Sequence, residues 1–127
     1  MVDASPPVSA ARVIVVVDDD EDVAAALGSL IESMGLQSHI FPSADAFLAG
    51  PQEVPVALVI SDVQMPGTSG IELARILQPR GVPVILITAF PGAEIERKAK
   101  EAGVHCFLLK PFDPANLIAC IERALEE

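Results

Sequence analysis

The sequence predicts an α/β fold: a doubly wound, five-stranded parallel sheet with five helices on both faces. Three observations lead there. Unbroken aliphatic runs such as 13–17 and 84–87 are strand-length, and they lack the alternation of a sheet with one wet face. Each run is followed by a segment whose apolar residues recur at helical spacing. Gly, Pro and capping residues punctuate the boundaries. The 127 residues suit one domain with one core, and 51% of them are hydrophobic. Trp and Tyr are absent, so that core must be largely aliphatic.

The first strand is expected over 12–17. A helix over 21–34 follows, with Val23, Leu27, Leu30, Ile31 and Met34 on one stripe and Gly35 as its stop. The second strand is read over 37–41. Pro42 and Ser43 then open a short helix, Ser43 as N-cap and Phe47 and Leu48 inward. After a loop over 51–55 the third strand takes 56–61. A turn with Pro66 and Gly67 leads to a helix through Ile71, Leu73, Ile76 and Leu77, broken over 79–83. The fourth strand occupies 84–87, and a helix over 93–102 ends at Gly103. The fifth strand takes 105–109. Asp113 and Pro114 start the last helix as N-cap and first residue, with Leu117, Ile118, Ile121 and Leu125 as its buried stripe. Residues 1–11 read as a loose tail and 12–127 as the domain.

Eighteen acidic against eight basic residues leave a net charge of −10. That argues against direct nucleic-acid binding, which needs a basic patch, and against docking on anionic lipid. No apolar run approaches the roughly 20 residues of a membrane span, and the start of the chain lacks signal-peptide character. A cytoplasmic location is expected. Cys106 and Cys120 read as two small buried thiols in a reducing compartment, with a disulfide or redox switch the minor reading. His39 and His105 read as structural.

In a doubly wound sheet, ligands bind beyond the carboxyl ends of the strands. Those ends carry Asp18-Asp19-Asp20, Ser61-Asp62, Thr88-Ala89 and Lys110-Pro111. Crowded carboxylates repel unless a cation gathers them. Carboxylates for a hard cation, a fixed positive charge and a hydroxyl donor are the parts of a phosphoryl-transfer site. Mg²⁺ suits such oxygen ligands, with Mn²⁺ as the alternative. No Gly-rich phosphate loop follows the first strand, which argues against a bound nucleotide.

Residues 15–23, 61–70 (Ser-Asp-Val-Gln-Met-Pro-Gly-Thr-Ser-Gly), 87–89 (Ile-Thr-Ala) and 107–112 (Phe-Leu-Leu-Lys-Pro-Phe) resemble, in order and spacing, the receiver domains of two-component response regulators. The segments 46–48 and 88–91 look most like the FixJ-like branch. The resemblance covers about residues 12–125 and implies the flavodoxin-like strand order 2-1-3-4-5. It implies that Asp62 accepts a phosphoryl group from the phosphohistidine of a sensor histidine kinase or phosphotransfer protein. It further implies that Asp18, Asp19, Asp62 and the backbone carbonyl of Gln64 hold Mg²⁺, leaving Asp20 as a helix-start charge. Thr88 and Lys110 would contact the phosphoryl oxygens, and Phe107 would act as the aromatic switch. Gln64 and Phe90 would tune the phosphate lifetime. The bond before Pro111 resembles one that is cis in the family and would aim Lys110. By the same resemblance the fourth helix, fifth strand and fifth helix form a partner or homodimer surface, although the charged run 94–101 reads equally as a solvated face. The domain would be a phosphoacceptor switch that assists its own phosphorylation and dephosphorylation, not an enzyme with a released product.

Two other readings fit parts of the pattern. A haloacid-dehalogenase-like phosphatase would use Asp18 and Asp20 after the first strand, but it leaves Asp62 without a role and lacks a later pair of acids. A degenerate receiver would serve only as a docking module, which the full acidic, Thr and Lys set opposes. Both a single-domain regulator and the receiver part of a longer protein with a DNA-binding domain fit this length.

Overall fold

Five segments form one parallel sheet in the order β2-β1-β3-β4-β5: β1 Val13–Val17, β2 Gln37–Phe41, β3 Val56–Asp62, β4 Val84–Thr88 and β5 Cys106–Leu109. The structure, a computed structural model, describes residues 13–50, 55–90 and 92–126. The expected tail over 1–11, the strand start at Arg12, most of the loop over 51–55, Pro91 and Glu127 lie outside the described residues. The helices are α1 Glu21–Ser33, α2 Ala44–Ala49, α3 Gly70–Leu77, α4 Ala93–Glu101 and α5 Pro114–Glu126, with a 3₁₀ turn Gln78–Arg80 after α3.

Every residue of β1 and β4 is buried, as strands covered on both faces require. Successive side chains alternate between faces. Val13, Val15, Val17, Val59, Val84 and Leu86 pack with Phe47 of α2, Leu73 and Leu77 of α3 and Ala99 of α4. Ile14, Val16, Leu58, Ile60, Ile85 and Ile87 pack with Leu27 and Ile31 of α1 and Leu117 and Ile121 of α5. The sheet thus separates two apolar layers, α2, α3 and α4 on one side and α1 and α5 on the other.

The caps explain the boundaries. Asp20 accepts from the N–H groups of Asp22 and Val23 at the start of α1, and Gly35 takes φ +83° just past its end. Ser43 caps α2. Ser69 and Glu72 form a reciprocal capping box on α3. The helix runs through Ile76 as expected, with that side chain exposed because the buried arc of α3 centres on Gly70, Ala74 and Leu77. One expectation changes. Cys106 is half-buried rather than buried, since it lies on the edge strand β5.

Candidate functional site

Strand register brings the polar strand ends together. Val17 pairs with Ser61, so Asp18 and Asp62 leave the sheet side by side. Asp62 pairs with Ile87, which sets Thr88 one step beyond it. Thr88 pairs with Leu109, and Lys110 follows, its N–H donating to the Thr88 carbonyl at 2.8 Å. Parallel pairing with little stagger therefore converts four distant segments into one cluster at one edge.

Within it, Asp18, Asp19 and Asp62 offer carboxylate oxygens that all lie within 4.8 Å of one another. Asp18 is only 3% exposed, Asp62 half-buried and Asp19 exposed. Lys110 Nζ stands 3.3 Å from Asp18 Oδ2 and 3.6 Å from Asp62 Oδ2, and the Lys110–Pro111 bond is cis. Three carboxylates thus face one ammonium, an excess of negative charge that a small divalent cation would balance. The all-oxygen, carboxylate-rich donor set suits Mg²⁺ or Mn²⁺ rather than a soft metal.

Burial is the chief influence on Asp62 and pushes its carboxyl above the ordinary 3.8 of an aspartate. Lys110 pulls it down, the Asp18 charge pushes it up, and hydrogen bonds from the backbone of Gln64 and Val63 pull it down. Partial desolvation makes a carboxylate a stronger nucleophile than one in water, and the Lys110 charge opposes that effect. Thr88 is fully buried, and its Oγ1 accepts from the Phe90 N–H at 3.0 Å. Its own hydroxyl proton therefore remains free to donate. Thr88 and Phe107 fall on the same face of the sheet, with Leu86 opposite Phe107 in register. Phe107 is half-buried against the layer of α2, α3 and α4.

The remaining expected residues sit further out. Gln64 is exposed in the β3–α3 loop, and Phe90 is 64% exposed. Asp20 lies outside the three-carboxylate group, its side chain engaged in capping α1. That removes the pairing of Asp18 with Asp20 on which the dehalogenase-like reading depends.

Several supporting residues escaped the sequence reading. Ser61 is fully buried, and its Oγ donates to the Asp62 carbonyl at 2.8 Å. Gly70 opens α3 so close to β3 that a Cβ there would collide with the Asp62 carbonyl oxygen. Asp45 of α2 accepts from Thr68 Oγ1 at 2.6 Å and tethers the loop that leaves Asp62. The Ser-x-x-Glu spacing of the α3 cap was legible in advance. The Asp45–Thr68 contact was not, because it depends on where α2 docks.

A family model for the response regulator receiver domain matches residues 14–122. The chain is 39% identical over 106 residues to the response regulator protein TmoT of Ectopseudomonas mendocina, covering 82% of this chain and 48% of TmoT. It is 38% identical over 105 residues to the transcriptional regulatory protein FixJ of Azorhizobium caulinodans, covering 81% of this chain and 50% of FixJ. The chain spans about half the length of these curated relatives. Among solved structures, FixJ-N superposes with a TM-score of 0.80 at 34% identity, over 91% of this chain and 94% of that one. The BeF3-activated DrrB receiver domain superposes at 0.82 and 32% identity, over 91% and 97%.

Proposed function

Because the chain belongs to the response regulator receiver domain family, in its FixJ-like branch, we propose that Asp62 is its phosphoacceptor and that a histidine kinase or phosphotransfer protein is the donor. The observation that carries this is Lys110 Nζ bridging Asp18 and Asp62 beside the three-carboxylate group. An Asp62 carboxylate oxygen attacks phosphorus, the P–N bond of the donor phosphohistidine breaks, and an acyl phosphate forms. Asp18, Asp19, Asp62 and the Gln64 carbonyl would hold Mg²⁺, which neutralises phosphoryl charge when bound. Lys110 stands ready to exchange its Asp62 contact for a phosphoryl oxygen, and Thr88 to donate its free hydroxyl proton to another. These groups would also assist hydrolysis, so the domain helps run its own cycle.

The added charge, about −1.5 to −2, favours the conformation in which Thr88 is drawn toward the phosphoryl group and Phe107 packs behind it. The affected surface is α4, β5 and α5, a face for a partner or a second copy. There Arg97 pairs with Glu94 and Glu101, and Lys98 pairs with Glu94, all along the exposed side of α4. Gln64 and the open ring of Phe90 would set how readily water reaches the acyl phosphate, and Phe90→Ala should change the dephosphorylation rate. No helix among the described residues is long and apolar enough to cross a membrane.

The test is incubation with a small acyl phosphate and Mg²⁺, followed by mapping the added phosphoryl mass. The label is expected on Asp62 and absent from Asp62→Asn. Label on Asp18 would revive the phosphatase reading, and failure to label despite intact fold would favour a docking module.

A further inference from the structure

We propose that Cys106 and Cys120 form an intramolecular disulfide site, closed by hydroperoxides, that ties β5 to α5. They are the only two cysteines of the chain. Alternation along β5 turns Cys106 and Leu108 toward the α5 side of the sheet, where Cys120 lies in the buried stripe with Leu117 and Ile121. One guanidinium nitrogen of Arg123 touches both sulfurs, at 3.5 Å from Cys106 Sγ and 3.6 Å from Cys120 Sγ. Two thiols converging on one cation form a pair, not two separate core fillers.

The two sulfurs are not equivalent. Burial first, and then the neighbouring Cys106 thiol, push the Cys120 thiol up to about 11, so it stays protonated at neutral pH. Cys106 is the more exposed and makes the first attack, with the Arg123 guanidinium beside its sulfur. The Cys106 sulfur attacks the hydroperoxide, an S–O bond forms, the O–O bond breaks, and water or an alcohol leaves. Cys120 sulfur then displaces hydroxide from the sulfenic acid, which departs as water with the Cys120 proton. Two thiols and one hydrogen peroxide give one disulfide and two waters. The cross-link fastens the strand that carries Phe107 and ends at Lys110, although its formation does not depend on the phosphoacceptor reading.

The reduced, folded chain is treated with hydrogen peroxide, alkylated, digested and mapped by mass. The expected product is a Cys106–Cys120 peptide pair two hydrogens lighter than the thiols, in a protein that runs as a monomer on a non-reducing gel and is restored by a dithiol. Arg123→Gln, an exposed change, should slow closure several-fold at neutral pH, and Arg123→Lys should largely keep the rate. Two persisting free thiols, oxidation that stops as a sulfinic acid on Cys106, or disulfides only between chains would overturn the proposal. An unchanged rate in Arg123→Gln would overturn the part given to the guanidinium.

Discussion

Asp62 shows at the scale of one residue how a site trades stability for reactivity. Its carboxyl is raised chiefly by burial, so the folded chain holds the proton more tightly than the unfolded chain does. The protonated form therefore stabilises the fold fully below the ordinary 3.8, and that stabilisation is lost as pH rises through the elevated value. Asn keeps a neutral group at every pH. Asp62→Asn should accordingly melt a few degrees above wild type at neutral pH, and the gap should close below about pH 4. Thermal melts by circular dichroism across this range check the sign. Asp20 makes the contrasting case, because its role is capping and not chemistry. Asp20→Ala should cost about 1 kcal/mol in a denaturant titration and leave phosphoryl uptake by Asp62 intact. Sequence reasoning separated these acids only through the family resemblance, since three adjacent aspartates look alike until their neighbours are known.

Among the elements, α3 depends most on the site. Gly70 sits at its first turn, where replacing Gly by Ala in an open helix would gain about 1 kcal/mol from propensity. Here the added methyl would meet the Asp62 carbonyl oxygen. Gly70→Ala should therefore destabilise by roughly 1–3 kcal/mol, as overpacking does, and slow phosphorylation. A neutral or stabilising result would show that the close approach does not constrain the strand end. Hydrophobic periodicity located the helices and strands to within a residue or two, most directly for β1, β3 and β4, whose buried segments read as continuous apolar runs. It did not tell which residues of α3 face inward, since in a short helix that arc is set by docking, and here Gly70 and Ala74 hold it against the sheet. It left a Cys106–Cys120 disulfide as the minor reading, because their meeting needs the packing of α5 on β5 and cannot be read from spacing.

For the molecule as a whole, the proposed metal binding would share one equilibrium with folding. On the proposed site, a cation held by Asp18, Asp19 and Asp62 would bind only the folded chain, which should gain about 2.7 kcal/mol when free Mg²⁺ is a hundredfold above its dissociation constant. The melting temperature should rise with MgCl₂ well beyond the effect of NaCl at equal ionic strength, and this excess should vanish in Asp18→Asn. The control matters because net charge −10 makes any salt somewhat stabilising. The register pairs that align Asp18, Asp62, Thr88 and Lys110 have one further consequence. Each group rides on a different strand, and the last of them follows the final strand to be made. On the proposed role of Asp62, a nascent or half-refolded chain therefore owns the aspartate without the apparatus around it, and it should not intercept a phosphoryl group meant for finished molecules. Recovery of labelling during refolding should lag behind recovery of helical signal, which makes the site a clock for completion of the sheet.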